Sequence, residues 1–219
     1  MSKYHIEIQA LVNAALEEMA AEHESGKLVN APVANNHFLV RWVTKNIKTK
    51  VFNKCISSDM IRWQKSGRSK GNQSDLLFTF KRISAFYGKM FPQGDDTKPL
   101  KDSDVEAFID KMDEAGWCVT NTEVLTNGEK IQFFTDGADS FAMCADQCDD
   151  SFDGEIMARP MNWFVRGNHA KFIEMAAEAG FMLHKRTDYK SLVKYHGEYI
   201  VYPGNHGVEL AEIPISVIG

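Results

Sequence analysis

The chain has 219 residues, 44% of them apolar and 25% charged, and a net charge of −5. That is the make-up of a globular protein with a core of its own, not of a disordered or fibrous chain. No apolar run reaches the roughly 18 residues of a membrane helix, and four cysteines in a chain of this size exclude a small disulfide framework. The start, MSKYHIEIQALVNAALEEMAAEHESG, is acidic and amphipathic. It lacks the basic start and unbroken apolar stretch of a leader, so the expected location is cytoplasmic.

The near-neutral total hides a reversal. Residues 1–37 carry a net −3, and residues 38–92 carry twelve Lys/Arg against two acids, a net +10. Residues 93–158 carry four Lys against seventeen acids, a net −13, and the remainder is +1. Such asymmetry bears on partners and association, not on fold.

In chain order, Ile8, Leu11, Val12, Ala15 and Met19 predict a helix over 4–25, stopped by Gly26. GKLVNAPVANN reads as a linker. HFLVRWVTKNIKTKVFNKC then places Leu39, Val43, Ile47 and Val51 on one stripe, opposite Arg41, Lys45 and Lys48. Lys50 and Lys54 fall inside the apolar arc, so this helix is imperfect or breaks near Thr49. RWQKSGRSKGNQSD, residues 62–75, is rich in Gly and Ser and reads as a loop. SDLLFTFKRISAFYGKM reads as a helix with Ser74 as N-cap and Leu76, Phe80, Ile83 and Tyr87 as its apolar stripe, against a strand at LLFTF. PQGDDTKPLKD, residues 92–102, marks a boundary between a mainly helical, basic region at 1–92 and a second region at 93–219.

The second region contains an echo. FIDKMDEAGW (108–117) matches FIEMAAEAGF (172–181), and GEKIQF (128–133) matches GEYIVY (197–202). TDGADSFAM and YPGNHGVEL follow as third strands. Ser103 and Glu106 have the spacing of a capping box, and Gly116 that of a helix C-terminus. The expected fold is α+β: the helical region, then a pseudo-twofold tandem of helix-plus-antiparallel-hairpin units at about 103–150 and 160–215.

The strongest functional signal is basic. Arg62, Lys65, Arg68 and Lys70 lie within nine residues, interleaved with Trp63, Gly67 and Gly71, and follow Arg41, Lys45 and Lys48. Cations on a Gly/Ser backbone can track a phosphate chain, and an exposed Trp63 could stack on a base. The expected activity is non-enzymatic: nucleic-acid binding through phosphate contacts from these eight residues, with no cofactor and no membrane. A second reading uses the acidic stretch DGADSFAMCADQCDDSFDGE. Asp146, Asp149, Asp150, Asp153 and Glu155 would form a nucleic-acid-mimicking face for a basic protein partner, as a regulator or inhibitor. The spacing is not that of an EF-hand, and Cys144 and Cys148 lack a second pair of zinc ligands.

His169, His184, His196 and His206 gather in the second echo, with no histidine at the matching positions of the first. At pattern level, a helix followed by three strands and ending in GNHGVEL resembles the vicinal-oxygen-chelate, glyoxalase-type modules over the second half of the chain. The resemblance implies a metalloenzyme whose metal is held by His, Gln and Glu side chains on strands. Glu209 stands where such a ligand falls, with His206 close before it, and no His or Gln precedes the helix on a strand. No Walker A loop, G-x-S-x-G or H-E-x-x-H is present.

Overall fold

A computed structural model describes residues 4–92, 94, 98–125, 139–186 and 197–218. Helices come first and strands follow, so the chain is α+β. It divides into two compact units, Met1–Asp96 with Val208–Gly219, and Thr97–Gly207.

The first unit is built on four helices: α1 (Tyr4–Glu24), α2 (Pro32–Thr49), α3 (Ser57–Lys70) and α4 (Leu76–Met90). In α1 the five apolar residues at helical spacing are all buried. α2 starts inside the stretch read as a linker, because Pro32 stands at the first turn, where its missing N–H breaks no helical bond. It ends at Thr49, so of the two readings its charge pattern left open the break is the one taken. Lys50 closes it in the left-handed conformation, φ 52°, and donates its N–H to Asn46 O at 3.0 Å. A side chain in that conformation costs about 1 kcal/mol relative to glycine. Lys50→Gly is therefore expected to stabilise the protein by roughly 0.5–1 kcal/mol, seen as a higher urea midpoint at unchanged slope.

Residues 62–70 are helical, not a loop. Trp63 and Gly67 lie on the buried face of α3 with Met60, and this packing outweighs the poor helix propensity of Gly and Ser. Gly71 turns the chain into a single 3-10 turn, Gly71–Ser74, with φ 57°. The strand alternative at LLFTF is not taken: α4 buries Leu76, Phe80, Ile83, Phe86 and Tyr87 along one stripe. Ser74 does not cap α4; its hydroxyl lies 2.7 Å from both Asn36 Oδ1 and Gly71 O, the two acceptors open to its single proton. The C-terminal segment belongs to this unit. Arg82 of α4 donates to the carbonyls of Ile213, Pro214 and Val217, and Ala211 N donates to the Tyr87 hydroxyl.

A polar chain, buried at Tyr4 and Asp59 and exposed at Arg62, joins α1 to α3. The Tyr4 hydroxyl donates to Asp59 Oδ2 at 2.7 Å, and Arg62 pairs with Asp59 Oδ1 at 2.6 Å. Burial, with the Asp59 carboxylate second, pushes the Tyr4 hydroxyl well above its ordinary range, so it stays a donor.

The second unit contains α5 (Asp102–Glu114), β1 (Cys118–Thr120), β2 (Ser140–Met143), α6 (Ala145–Ser151) and the short pair β3 (Phe152–Asp153) and β4 (Ile156–Met157). β5 (Met161–Arg166), α7 (His169–Glu178), β6 (His184–Lys185) and β7 (Gly197–Val201) complete it. The sheet order is β1-β2-β5-β7-β6. Phe141, Met143, Trp163, Val165, Tyr199 and Val201 alternate onto one face, and Phe108, Met112, Phe172 and Met175 of α5 and α7 join them in one core. α5 begins one residue before Ser103, and Asp104, not Glu106, caps it by accepting the Lys101 N–H at 2.9 Å.

The sequence echo corresponds to one helix ending used twice. Gly116 and Gly180 both take positive φ, 81° and 91°. Trp117 N donates to Met112 O and Phe181 N to Ala176 O, the same six-residue closure in each copy. Trp117 and Phe181 are both buried, and Lys111 of α5 pairs with Glu178 of α7 at 2.8 Å. The strands after these helices differ. β1 pairs with β2 in parallel, whereas β6 pairs with β7 antiparallel. GEKIQF lies outside the described residues. YPGNHGVEL forms no third strand: Pro203 lacks an N–H, Gly204 and Asn205 have positive φ, and the chain makes a 3-10 turn.

Candidate nucleic-acid interface

α2 and α3 pack closely because Gly67 has no side chain. A Cβ there would stand 2.3 Å from Val40 Cγ2 and 2.9 Å from Leu76 Cδ1. Asn36 Nδ2 donates to Gly67 O across the same contact. Further along, Gln64 Nε2 and Arg68 Nη2 both donate to the Thr44 hydroxyl, at 2.8 and 3.2 Å.

This seam is a basic groove. A hollow of about 450 Å³ is lined by Arg41, Lys45, Lys48 and Arg68 over Val40, Thr44 and Thr49. A second hollow of about 400 Å³ shares Val40, Arg41 and Arg68 and adds His37, Gly67 and Gly71. His37, Arg41, Lys45 and Lys48 recur at helical spacing along α2, so they form one exposed stripe of about three turns. No carboxylate stands among the described residues lining either hollow. The one acid of α2 and α3, Asp59, is buried and held by Tyr4 and Arg62.

The eight residues expected to contact nucleic acid therefore separate. Arg41, Lys45, Lys48 and Arg68 come together. Lys65 and Lys70 are exposed on α3 but line neither hollow. Arg62 is tied to Asp59 and lines a different hollow, with Thr79 and Arg82. Trp63 is corrected outright: it is 4% exposed and packs on Phe80 with ring centroids 4.8 Å apart, so it cannot stack on a base. The mistaken signal was its place among four cations; its position on the buried stripe of α3 is the informative one. His37 was missed, although it stands one turn before Arg41.

In the second unit, Asp146, Asp149, Asp150, Asp153 and Glu155 are all exposed, on α6 and the β3–β4 turn. Their neighbours Gln147 and Ser151 turn inward, Gln147 accepting the Asn162 N–H at 3.0 Å. Among the described residues no group of three or more His, Cys, Asp or Glu side chains could hold a metal. His206 is half-buried after the 3-10 turn, and Glu209 is exposed in the segment assigned to the helical unit.

All four cysteines are free thiols. Burial pushes the Cys148 thiol up to about 11, with Cys144, Asp149 and Asp102 adding to the effect. Its thiolate thus appears only well above neutral pH. Alkylation of Cys148 by iodoacetamide at pH 8 is expected to run on the order of a hundredfold slower than for an exposed thiol. Peptide mapping after timed labelling measures the rate.

The fold and groove define an α+β protein whose helical unit presents a cationic seam between two helices. The chain belongs to the family described as Protein of unknown function (DUF2913), whose model matches residues 3–214. No curated protein and no solved structure matches it.

Proposed function

We propose that the protein binds nucleic acid through the α2–α3 groove, by contacts to the phosphate backbone. The observation that carries this reading is the convergence of Arg41, Lys45, Lys48 and Arg68 on one groove with no carboxylate among its described lining residues. Surface cations are ordinarily interspersed with acids. Here Arg68 is also steadied by its bond to Thr44, which lowers the entropy lost when it engages a phosphate. The Arg guanidinium forks suit phosphate oxygens, and the Lys ammonium groups add point charge. With Trp63 buried, the described residues lining the groove include no Phe, Tyr or Trp, so its contacts carry little sequence information.

The test is a variant with Arg41, Lys45, Lys48 and Arg68 all changed to Ala, compared with Arg62→Ala. The first is expected to lose about a hundredfold in affinity for a 20-base-pair duplex near 50 mM salt, while the second stays within a few-fold of wild type. Equal losses from the two variants would sink this assignment of the site.

A further inference from the structure

Near the Gly71 end of the basic groove the surface hollows again. This third hollow, of about 340 Å³, shares no lining residue with the groove but lies close by: Asn36 of its wall donates to the carbonyl of Gly67, which lines the second hollow, and Asn72 follows Gly71 in the chain. The chemistry changes there. The walls carry Asn30, Asn72, Asp75 and Lys81 around Leu76 and Phe78. Phe78 is 41% exposed, although it sits in a helix whose other large aromatic residues, Phe80, Phe86 and Tyr87, are buried.

Its ring is held in place. The Arg82 guanidinium lies 5.4 Å from the centroid of the Phe78 ring. Arg82 is itself fixed by three carbonyls of the C-terminal segment and lines a different hollow from Phe78. The amides are held too: Asn30 Oδ1 accepts from Asn35 Nδ2, and Asn35 Oδ1 is bonded to His23 Nε2. A fixed aromatic face beside amide donors and acceptors matches what an unpaired nucleobase needs, a surface to stack on and partners for its polar edge. Asn reads such edges with paired donor and acceptor.

We infer that this hollow takes an unpaired base of a single strand whose phosphates run along the α2–α3 groove, with Phe78 as the stacking surface. The inference rests on the proposed phosphate contacts and adds a preference for single strands bearing bases. Three probes separate the two: a 15-nucleotide oligothymidylate, an abasic strand of the same length and a blunt duplex, each titrated by fluorescence anisotropy. The oligothymidylate is expected to bind the wild type on the order of tenfold more tightly than the abasic strand. Phe78→Ala should remove that difference while leaving the abasic strand and the duplex unchanged, and Phe78→Trp should keep it. Equal binding of both strands to the wild type, or a loss from Phe78→Ala shared by all three probes, overturns the base pocket and leaves the phosphate reading standing. Failure of every probe to bind overturns the phosphate reading, and the base pocket with it.

Discussion

Phe108→Ala is expected to destabilise the second unit by about 3–5 kcal/mol, the largest effect of any single substitution considered. Phe108 lies at the centre of an aromatic cluster. It stacks on Trp163 at 5.1 Å with the planes 7° apart, and meets Phe141 and Phe172 edge-on at 5.6 and 5.8 Å. Phe181 lies 5.6 Å away. Truncation would remove the ring contacts of four neighbours and leave a cavity that rigid aromatic walls collapse into poorly. Loss of the near-ultraviolet circular dichroism of Trp163 at a lower temperature than in wild type measures it. Phe108→Leu should recover more than half of the loss, because most of the volume returns. The groove belongs to the other unit, so nucleic-acid affinity measured below the transition should be unchanged.

Gly67→Ala is expected to destabilise the first unit by about 1–3 kcal/mol. In an exposed helix interior the same change would stabilise by close to 1 kcal/mol. The sign reverses because the new methyl meets Val40 Cγ2 at 2.3 Å, and a β-branched side chain has no easy alternative rotamer in a helix. Val40→Ala removes that atom, so the double variant should recover much of the loss, a coupling that a double-mutant cycle in urea reads directly. Gly67→Ala should also weaken nucleic-acid binding, since separating α2 from α3 moves Arg68 away from Arg41. A stabilising Gly67→Ala would mean that the helices do not meet at this contact.

These two positions show what the sequence makes legible. Phe108 and Phe172 stand in matching places of two similar segments, each on an apolar stripe that ends in Gly, so their burial follows from local pattern. The end of α2 at Thr49 was readable as one of two outcomes, from lysines entering the apolar arc. Gly67 gave the opposite impression. Among Ser, Arg and Lys it reads as loop, and only the approach of α2, brought in from some thirty residues away, makes a glycine the residue that fits a helix there. The same long-range cause hid Trp63, whose burial depends on α4. It also hid the C-terminal segment, which Arg82 and Tyr87 hold to the helical unit. The candidate site was half legible: the cations of α2 are evident as a stripe, but which cations of α3 join them depends on the packing of the two helices. Phe78 stands off the α4 stripe of Leu76, Phe80, Ile83 and Tyr87, so its exposure was legible, but the amides beside it, Asn30 and Asn72, come from separate parts of the chain and carried no signal.

Phosphate binding by the α2–α3 groove, as proposed above, carries a salt signature. The most direct measurement is the dependence of duplex affinity on salt, from about 50 to 200 mM, for wild type and for the variant with Arg41, Lys45, Lys48 and Arg68 changed to Ala. Each phosphate neutralised contributes about 0.9 to the slope of log K against log salt. Loss of four cations should therefore flatten the slope by about 3 to 4, with the two affinities converging at high salt. Parallel slopes in the two proteins, at any difference in affinity, would contradict it.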